Sequence, residues 1–475
     1  MNQEITVVIL AAGLGTRMKS SKAKVLHEAG GDTLLNQVIR AALHVASPDR
    51  IVAVVGHQAE QVKASVKVPG IRFAEQKQQK GTGHAVMCAR ASVPSETGEL
   101  LILNGDGPLL KPETLRRLID VHHSKRIAGA IVTTEVADPF GYGRIIRDEQ
   151  DLVASIVEHK SASPEQLRVR EINPGVYCFD AALFWRHIDE VTPDNAAKEY
   201  YLTDMIEILR RHSHRVAPVL VADETELLGI NTRVELAVAD RILRERKTNE
   251  LMLSGVTIEK PETVTIDVDV EVGQDTVIEA NAQLRGSTKV GSSSRIGTGS
   301  VLRDCEIGDA VTVLPFVVAE SSVLRSGAFV GPFARLRMNA EAAEDTHIGN
   351  FVELKKTKLG RGSKANHLAY LGDASIGSKV NVGAGTITCN YDGQKKHVTQ
   401  IGDGVFVGSN STLVAPLTLE PGAYVAAGSV ITKDVEADAL AIGRAYQTDK
   451  PGWAKRRREM SDKSAANGQR LVNKS

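Results

Sequence analysis

Residues 401–431 read IGDGVFVGSNSTLVAPLTLEPGAYVAAGSVI, and aliphatic side chains recur here at every sixth position: Ile401, Val407, Leu413, Leu419, Val425 and Ile431. The same spacing returns at Leu359, Ala365 and Leu371, and at Ile376 and Val382. A period of six fits neither an amphipathic helix nor an alternating strand. It indicates a coil with six-residue sides, each turning one aliphatic residue inward, with three sides per turn. The period alone would also fit a structural solenoid without chemistry.

The first half of the chain has another pattern. Up to about residue 230, apolar runs such as ITVVILAAG, RIVAVVG and LLILNGD alternate with helical stretches. This alternation predicts an α/β domain with a mostly parallel sheet. At Thr232 the segment TRVE has capping-box spacing, and a charged stretch follows it, which predicts a connecting helix. We expect an α/β domain at 1–231, a linker helix at 232–253 and a coiled domain at 254–475, with a polar tail from about 445.

Length and composition restrict the class of protein. The chain has 475 residues, too many for one ordinary core, and Lys plus Arg equals Asp plus Glu at 58 each. We therefore expect small-molecule ligands rather than nucleic acid, and a solvated tail rather than a nucleic-acid arm at KRRRE. The four cysteines form no CxxC pair, and the first apolar run, Val7 to Ala12, is too short for a signal or a membrane span. A cytoplasmic protein without a membrane span is predicted.

The segment LAAGLGTRM places Gly13 and Gly15 directly after an apolar strand, with Arg17 behind them. Small residues let backbone N–H groups approach phosphate. A dinucleotide-binding loop would need a third glycine, where Met18 stands. The segment resembles the GxGTRM signature of sugar-1-phosphate nucleotidylyltransferases, which wraps a nucleoside triphosphate. In that family a lysine follows, which would be Lys24, although Ala23 replaces its usual proline; the alternative is an ordinary solvated lysine.

Further segments carry the same resemblance. QKQQKGTGHAV resembles the family's uridine-recognising segment through Gln76, Gln79, Gly81 and Thr82. LLILNGDGPLL ends a strand at Asp106, which could cap a turn but which the resemblance assigns to Mg²⁺ together with Asn231. Asn104, Gly107 and Pro174 depart from the family pattern. The resemblance places nucleotide and sugar at Leu10, Ala11, Ala12, Gly13, Arg17, Lys24, Gln76, Gly81, Thr82, Asn104, Asp106, Gly143, Glu158, Asn173 and Asn231, with Tyr201 and Thr203 lining the sugar pocket or starting a helix.

In the second half, GPFARLR, NFVELKK, SKANHLAYLGD, GAGTITCNYDG and VFVGSNS interrupt the repeat with residues that a plain solenoid does not need. The repeat resembles the left-handed parallel β-helix of hexapeptide acyltransferases. The interrupting segments resemble the acetyltransferase half of the bifunctional N-acetylglucosamine-1-phosphate uridylyltransferase/glucosamine-1-phosphate N-acetyltransferase family, and the resemblance spans about 440 residues. It implies that the acceptor is held by Arg337, Lys355, Tyr370, Asn381, Asn390 and Tyr391, and acetyl-CoA by Ala384, Ser409, Ala427 and Arg444. Met338 and Asn339 replace a Pro-Gly pair of the family.

The resemblance makes His367 the catalytic general base and suggests that Glu353 orients its imidazole. A packing histidine is the alternative. Cys389 beside Asn390 could suggest a thiol nucleophile, but the sequence supplies it with no base and no orienting group.

The family resemblance implies a two-step activity. Acetyl-CoA would acetylate glucosamine 1-phosphate, and UTP with Mg²⁺ would then convert the product to UDP-N-acetylglucosamine and pyrophosphate, for peptidoglycan and lipopolysaccharide synthesis. A homotrimer is also implied. Two alternatives are a nucleotidylyltransferase whose β-helix is only a scaffold, and a trimerisation module whose first domain has degenerated. His367 and the NYDG segment argue against the first alternative, and retention of Arg17, Lys24, Asp106 and Asn231 argues against the second.

Overall fold

The computed structural model describes residues 4–125, 127–195 and 197–472. They form two compact units, Met1–Ser321 and Ser322–Ser475. None of the described helices is both long enough and apolar enough to cross a membrane.

The first unit begins with an α/β domain. Its strands are β1 (Glu4–Ala11), β2 (Glu28–Ala29), β3 (Asp32–Thr33), β4 (Ile51–Val55), β5 (Arg72–Glu75), β6 (Thr97–Asn104), β7 (Gly129–Glu135), β8 (Gly143–Arg147), β9 (Val153–Val157), β10 (Glu171–Asn173), β11 (Tyr177–Asp180) and β12 (Val216–Leu220). Its helices are α1 (Leu34–Ala42), α2 (Ala59–Ser65), α3 (Thr82–Ala89), α4 (Pro112–Lys125), α5 (Ala181–His187), α6 (Asp204–Arg211) and α7 (Arg233–Leu253).

Ten of these strands form one mixed sheet in the order β5-β4-β1-β6-β11-β7-β10-β8-β9, with β12 also paired to β7. The predicted parallel arrangement holds for β5, β4, β1 and β6 and for the pair of β7 and β12. Strand β11 is inserted antiparallel between β6 and β7, and β8, β9 and β10 pair antiparallel. The nucleotide motifs follow β1 and β6, so they meet at the carboxyl edge of the parallel part.

The sheet is buried on both faces. Val7 and Ile9 of β1 pack in a core with α1 and α4, whereas Val8 packs in the opposite core with α3, α5 and α6. Alternate residues of a strand point to opposite faces, so a strand covered by helices on both sides is apolar throughout. This explains the uninterrupted apolar run from Val7 to Ala12.

Helix α7 begins with the predicted capping box. The Thr232 hydroxyl accepts a hydrogen bond from the Glu235 backbone N–H, and the Glu235 carboxylate accepts from the backbone N–H of Thr232 at 2.7 Å. Ala239 and Leu243 of α7 pack against Ala29 and Leu34. The helix is therefore packed into the first unit along one face.

Short parallel strands follow α7 within the first unit. They are β13 (Thr257–Ile258), β14 (Thr265–Ile266), β15 (Glu271–Val272), β16 (Val277–Ile278), β17 (Gln283–Arg285), β18 (Lys289–Val290), β19 (Arg295–Ile296), β20 (Val301–Arg303), β21 (Glu306–Ile307), β22 (Thr312–Val313) and β23 (Val318–Glu320). From β13 to β20, each strand pairs in parallel with the third strand after it, as β13 does with β16 and β14 with β17. Three strands therefore make one turn of the coil.

The second unit, described by itself, has the same three-strand pattern of a left-handed β-helix and ends in a helix, α8 (Trp453–Val472). Its strands are β24 (Val323–Leu324), β25 (Phe329–Val330), β26 (Arg335–Arg337), β27 (Glu341–Ala342), β28 (His347–Asn350), β29 (Glu353–Lys355), β30 (Lys358–Leu359), β31 (Lys364–His367), β32 (Tyr370–Gly372), β33 (Ala374–Ile376), β34 (Asn381–Val382), β35 (Ile387–Cys389), β36 (Thr399–Ile401), β37 (Phe406–Val407), β38 (Thr412–Val414), β39 (Leu417–Leu419), β40 (Tyr424–Val425), β41 (Val430–Ile431) and β42 (Leu440–Ala441). All aliphatic residues of the predicted six-residue period are buried.

Candidate active sites

The glycine loop after β1 adopts the compact form that its sequence predicts. It leads into a single 3-10 turn, Thr16–Met18, and Gly15 has the left-handed φ of 62°. A Cβ atom on Gly15 would lie 2.6 Å from the Cβ of Lys24. A side chain is therefore excluded at position 15, and the loop packs directly against Lys24.

Two adjoining cavities lie at this edge of the sheet. One of about 410 Å³ is lined by Leu10, Ala11, Ala12, Gly13, Lys24, Gln76, Gly81, Thr82, Asn104, Asp106 and Glu158. The other, of about 210 Å³, shares several of these residues and adds Gly143, Asn173 and Asn231. The structure thus brings the predicted nucleotide and sugar residues together, with Arg17 joining them through a hydrogen bond from its guanidinium to the Asn231 Oδ1 at 2.7 Å.

Lys24 occupies the centre of the predicted metal position. Its ammonium contacts the Asp106 carboxylate and donates to the Asn231 Oδ1 at 3.1 Å. A carboxylate and an amide oxygen therefore converge on one cation. These are the hard oxygen ligands that Mg²⁺ prefers, so the residues present fit that ion.

Ala23, which replaces the family's proline, has a backbone N–H that proline lacks. Its backbone N–H donates to the Gln58 Oε1 at 2.7 Å, and the Gln58 Nε2 donates to the Ser21 carbonyl at 2.8 Å. A proline has no N–H to donate. The segment before Lys24 is thus held by Gln58 rather than by a proline ring.

Two other departures from the family pattern contact each other. The Asn104 Nδ2 donates to the carbonyl of Pro174 at 3.1 Å. Gly175 has φ of 83°, and a Cβ atom there would collide with the Asn104 amide. Asn104, Pro174 and Gly175 therefore form one packed unit in the wall of the smaller cavity.

Glu158 lies at the junction of the two cavities. Its carboxylate accepts a hydrogen bond from the Thr203 hydroxyl at 3.2 Å, and burial raises its pKa. Burial, with the nearby charges of Glu207 and Glu158, also raises the pKa of Asp204 to about 6. Thr203 therefore belongs to the cavity, and this end of the site disfavours additional negative charge.

The segment expected to recognise uridine, residues 76–82, is held by hydrogen bonds to a second segment at residues 200–202. The Thr82 hydroxyl accepts from the Leu202 backbone N–H at 3.1 Å, and Gly83 donates its N–H to the Tyr200 carbonyl at 2.8 Å. Gln76 donates to the Gly81 carbonyl at 3.0 Å. The sequence motif 76–82 is therefore fixed by residues about 120 positions later.

In the second unit, parallel register stacks three predicted acceptor residues, Arg337, Lys355 and Tyr370, on one sheet, whereas Asn381 lies on β34 of another sheet. Arg335 pairs with Glu353, which pairs with Tyr370, and Arg337 pairs with Lys355. Residues at paired positions lie on the same face, one coil apart. Side chains about 17 positions apart are therefore neighbours on the coil surface.

A cationic cluster lies beside this stack. Lys355 is buried, and its ammonium donates to the Asp373 Oδ2 at 3.3 Å, an oxygen that the Asn390 amide also contacts. Lys396 approaches Lys355: this contact lowers the pKa of Lys396, whereas the contact and the Asp373 carboxylate raise that of Lys355. Two adjacent ammonium groups suit a phosphate anion.

His367 is exposed, and its ring is held by the preceding coil. Its Nδ1–H donates to the Asn350 Oδ1 at 2.9 Å, and the two residues are in register between β28 and β31. Since the amide oxygen only accepts, the proton is assigned to Nδ1 and Nε2 keeps its lone pair. The expected contact with Glu353 is wrong: the Glu353 Oε1 accepts instead from the Arg337 Nε at 2.7 Å, because Arg337 lies one coil above it on the same sheet.

One coil of this unit is longer than its neighbours. Lys364 pairs with Asn381, 17 positions on, but Asn381 pairs with Phe406, so the next coil is eight residues longer. The additional residues lie in the loop after β35, which carries Asn390, Tyr391 and Lys396. The Asp392 carboxylate organises it by accepting from the backbone N–H groups of Gln394 and Lys395, both at 2.7 Å.

The residues expected to contact acetyl-CoA form a column on successive coils. Asn410 donates its N–H to the Ala384 carbonyl at 2.7 Å, and Gly428 donates to the Ser409 carbonyl at 2.8 Å. The side chain of Arg444 would lie 3.7 Å from a Cβ atom on Gly428, which follows Ala427. The structure therefore brings all four together along one edge of the coil.

The turn after Arg337 differs from the family's Pro-Gly form. Met338 and Asn339 both have left-handed φ, 56° and 61°. A proline at position 338 could not adopt this conformation, since its ring fixes φ near −65°. The altered sequence therefore produces an altered turn.

Three residues beside the predicted sites were not expected from the sequence. Asn350 contacts His367, whereas Asp373 and Lys396 both contact Lys355. The signal that could have found them is the coil period itself, because Asn350 precedes His367, and Lys355 precedes Asp373, by about one turn. Lys396 lies outside the repeat, in the additional loop.

Comparison with known proteins supports both halves. The model of the MobA-like NTP transferase domain matches residues 7–199, and that of the hexapeptide repeat of succinyl-transferase matches residues 398–433. The chain is 56% identical over 461 residues to the bifunctional protein GlmU of Solibacter usitatus, covering 97% of this chain and 99% of the relative. It is 49% identical over 460 residues to the bifunctional protein GlmU of Koribacter versatilis, covering 96% and 98%.

A more distant relative gives the same result. The bifunctional protein GlmU of Streptococcus agalactiae serotype V is 45% identical over 450 residues, which covers 95% of this chain and 97% of the relative. Each of these alignments covers at least 95% of this chain, so each includes parts of both units. The chain belongs to the family of bifunctional GlmU proteins.

Proposed function

We propose that this bifunctional transferase acts twice on one sugar phosphate. Acetyl-CoA donates its acetyl group to the amine of glucosamine 1-phosphate, and UTP then donates its uridylyl group to the resulting N-acetylglucosamine 1-phosphate. The observation that carries the proposal is the placement of Lys24, Asp106 and Asn231 around one point in the first unit. In the second unit, His367, bonded to Asn350, and Lys355, bonded to Asp373, would serve acetyl transfer.

For uridylyl transfer, the protein needs no nucleophile of its own. A phosphate oxygen of the sugar attacks the α-phosphorus of UTP, the P–O bond to pyrophosphate breaks, and pyrophosphate leaves. Arg17, Lys24 and the backbone of the glycine loop align the two anions and offset their repulsion. Asp106 and Asn231 would hold Mg²⁺, which supplies further neutralisation of phosphate charge. Gln76 and Thr82 bind the base side, and Gly143, Glu158 and Asn173 the N-acetylated sugar.

Acetyl transfer requires a base. The glucosamine nitrogen attacks the thioester carbonyl, a C–N bond forms, the C–S bond breaks, and the nitrogen loses a proton. The Nε2 of His367 takes that proton, since its Nδ1–H is engaged with Asn350. Arg337, Lys355, Tyr370, Asn381, Asn390 and Tyr391 hold the acceptor, while Ala384, Ser409, Ala427 and Arg444 hold acetyl-CoA.

The organisation of the protein is part of the proposal. We place uridylyl transfer in residues 1–231, the linker helix at 232–253 and acetyl transfer in 254–475. A homotrimer in the cytoplasm is expected, where four free thiols such as Cys178 and Cys389 stay reduced. Light scattering tests the assembly: a trimer gives about three times the chain mass of 51.1 kDa. A monomer fully active in acetyl transfer would contradict it.

One experiment tests the whole function. Purified protein is incubated with glucosamine 1-phosphate, acetyl-CoA, UTP and Mg²⁺, and UDP-N-acetylglucosamine is measured. We expect product only with all four components. Product from N-acetylglucosamine 1-phosphate but not from glucosamine 1-phosphate would instead favour a scaffold role for the β-helix.

A further inference from the structure

A buried group of metal-ligand side chains lies away from both sites. It consists of Glu99 on β6, His122 on α4 and Cys178 on β11, whose ligand atoms all lie within 4.8 Å of one another. Glu99 and Cys178 are fully buried, and His122 is 6% exposed. Strand β11 pairs antiparallel with β6, which places Glu99 and Cys178 on the sheet face that α4 covers.

The hydrogen bonds of this group are incomplete. The His122 Nδ1 and the Glu99 Oε1 are 2.9 Å apart, and His123 contacts the same carboxylate oxygen. The other carboxylate oxygen, Glu99 Oε2, and the other ring nitrogen, His122 Nε2, are buried without a partner in the described structure. Buried polar atoms are almost always paired, so the unpartnered Glu99 Oε2 indicates a missing ligand at this cluster.

We propose that Glu99, His122 and Cys178 bind a structural zinc ion. A carboxylate, an imidazole and a thiolate together suit zinc and do not suit Mg²⁺, which prefers oxygen ligands alone. Tetrahedral zinc places its ligand atoms about 3.5 Å apart, so the most separated donors approach by roughly 1 Å on binding. His122 binds through Nδ1, the nitrogen 2.9 Å from the Glu99 Oε1, so that the ion takes the place of the proton between them.

A neighbouring cavity offers the ion a fourth ligand and access from solvent. His122 and His123 line a cavity of about 540 Å³ together with Asp180 and His214. His123 or a water molecule from this cavity completes the coordination. Zinc binding replaces the thiol proton of Cys178, which is released to the solvent.

The ion would join three elements of the first unit. Glu99 lies near the start of β6, and Asp106 follows the end of the same strand. Zinc held by Glu99, His122 and Cys178 ties β6 to β11 and α4, and so fixes the strand that positions Asp106. The proposed ion stabilises the fold and takes no part in either transfer.

Cobalt(II) is the probe, because its complex with a thiolate gives a charge-transfer absorption that oxygen and nitrogen ligands do not. The full-length protein is treated with a chelator, freed of it, and titrated with Co²⁺ in the presence of Mg²⁺. We expect one equivalent to produce the thiolate band. Cys178→Ala should remove the band, whereas Cys88→Ala, which removes the thiol beside His84, should retain it.

A second measurement needs no variant. In the wild-type protein, zinc at about 100 times its Kd should raise the melting temperature of the first unit by roughly 5–10 °C. His212→Gln controls for the surface group of His187, Glu190 and His212, and should leave both results unchanged. A wild-type protein without the band, a band that survives Cys178→Ala, or a band lost with Cys88→Ala would each overturn the proposal.

Discussion

The ring of His367 is fixed by Asn350, one coil earlier on the same sheet, through a 2.9 Å hydrogen bond to Nδ1. The bond sets both the orientation and the tautomer of the imidazole, because the amide oxygen can only accept. The nitrogen left with a lone pair is Nε2. A neutral imidazole with its Nε2 lone pair free can accept the proton that the amine loses.

Replacing this base should separate the two activities. His367→Ala is expected to lower acetyl transfer by about 10² to 10⁴ and to leave uridylyl transfer unchanged. Both activities and the melting temperature are measured on one preparation. Nearly normal acetylation would contradict the general-base role, and equal loss of both activities with a lower melting temperature would indicate a packing histidine.

Asn350 is a positioning residue, and its removal should have a smaller effect of the same kind. Asn350→Ala is expected to lower the kcat of acetyl transfer by roughly 10-fold with little change in KM, because the acceptor contacts remain. Asn350→Asp keeps an accepting oxygen and should recover most of the rate. Equal defects in the two variants, or a change confined to KM, would count against this role.

The acid at the carboxyl edge of the first sheet should matter for uridylyl transfer alone. Asp106→Ala removes the partner of Lys24 and a proposed Mg²⁺ ligand, so we expect loss of pyrophosphate release with acetyl transfer intact. Asp223→Ala is the matched control, since Asp223 also pairs with a lysine, Lys111, but at the surface. Uridylyl transfer that persists in Asp106→Ala at ordinary Mg²⁺ would remove this residue from the site.

Asp204 should make stability depend on pH. Its pKa is raised from 3.8 to about 6, so the folded state favours the protonated form, and that contribution is lost as pH rises through about 6. Asp204→Asn should therefore raise the melting temperature relative to wild type above pH 6 and have little effect near pH 4. Melting curves at several pH values test this. A difference that is constant with pH, or that shrinks as pH rises, would be inconsistent with the raised pKa.

The α/β domain depends on contacts with residues after α7. Gly30 accepts a backbone hydrogen bond from Val268 at 2.9 Å, and Arg244 pairs with the buried Asp267 at 2.6 Å. We expect a fragment of residues 1–253 to melt about 2–8 °C below one of residues 1–321, since it lacks these partners. Both fragments should release pyrophosphate from UTP and N-acetylglucosamine 1-phosphate, and neither should acetylate. Identical melting temperatures would show that the contacts add no stability, and an inactive but folded longer fragment would contradict independent uridylyl transfer.

The sequence predicted the repeat because each inward residue of a coil is set by a local period, and the capping box because its two partners are three residues apart. It predicted the glycine loop for the same local reason. The antiparallel position of β11 within the sheet could not be predicted, because strand order depends on which distant edges meet.

Side-chain partners were predicted less well than motifs. Glu353 seemed to belong with His367 because it lies near in sequence, but it pairs in register with Arg335 of the preceding coil, and Arg337, two residues further on, donates to it. The exchange of proline for Ala23 likewise has its explanation in Gln58, 35 positions away. Such pairings follow from the three-dimensional register, which no single motif contains.

The long coil between Asn381 and Phe406 assigns fold stability and acceptor recognition to different residues. Each coil pairs only with its immediate neighbours, so extra length can leave the rod as a loop without shifting the strands on either side. Mutations in that loop can therefore alter which acceptor binds without disturbing the strands of the β-helix. In this architecture, acceptor specificity can evolve through changes in one loop.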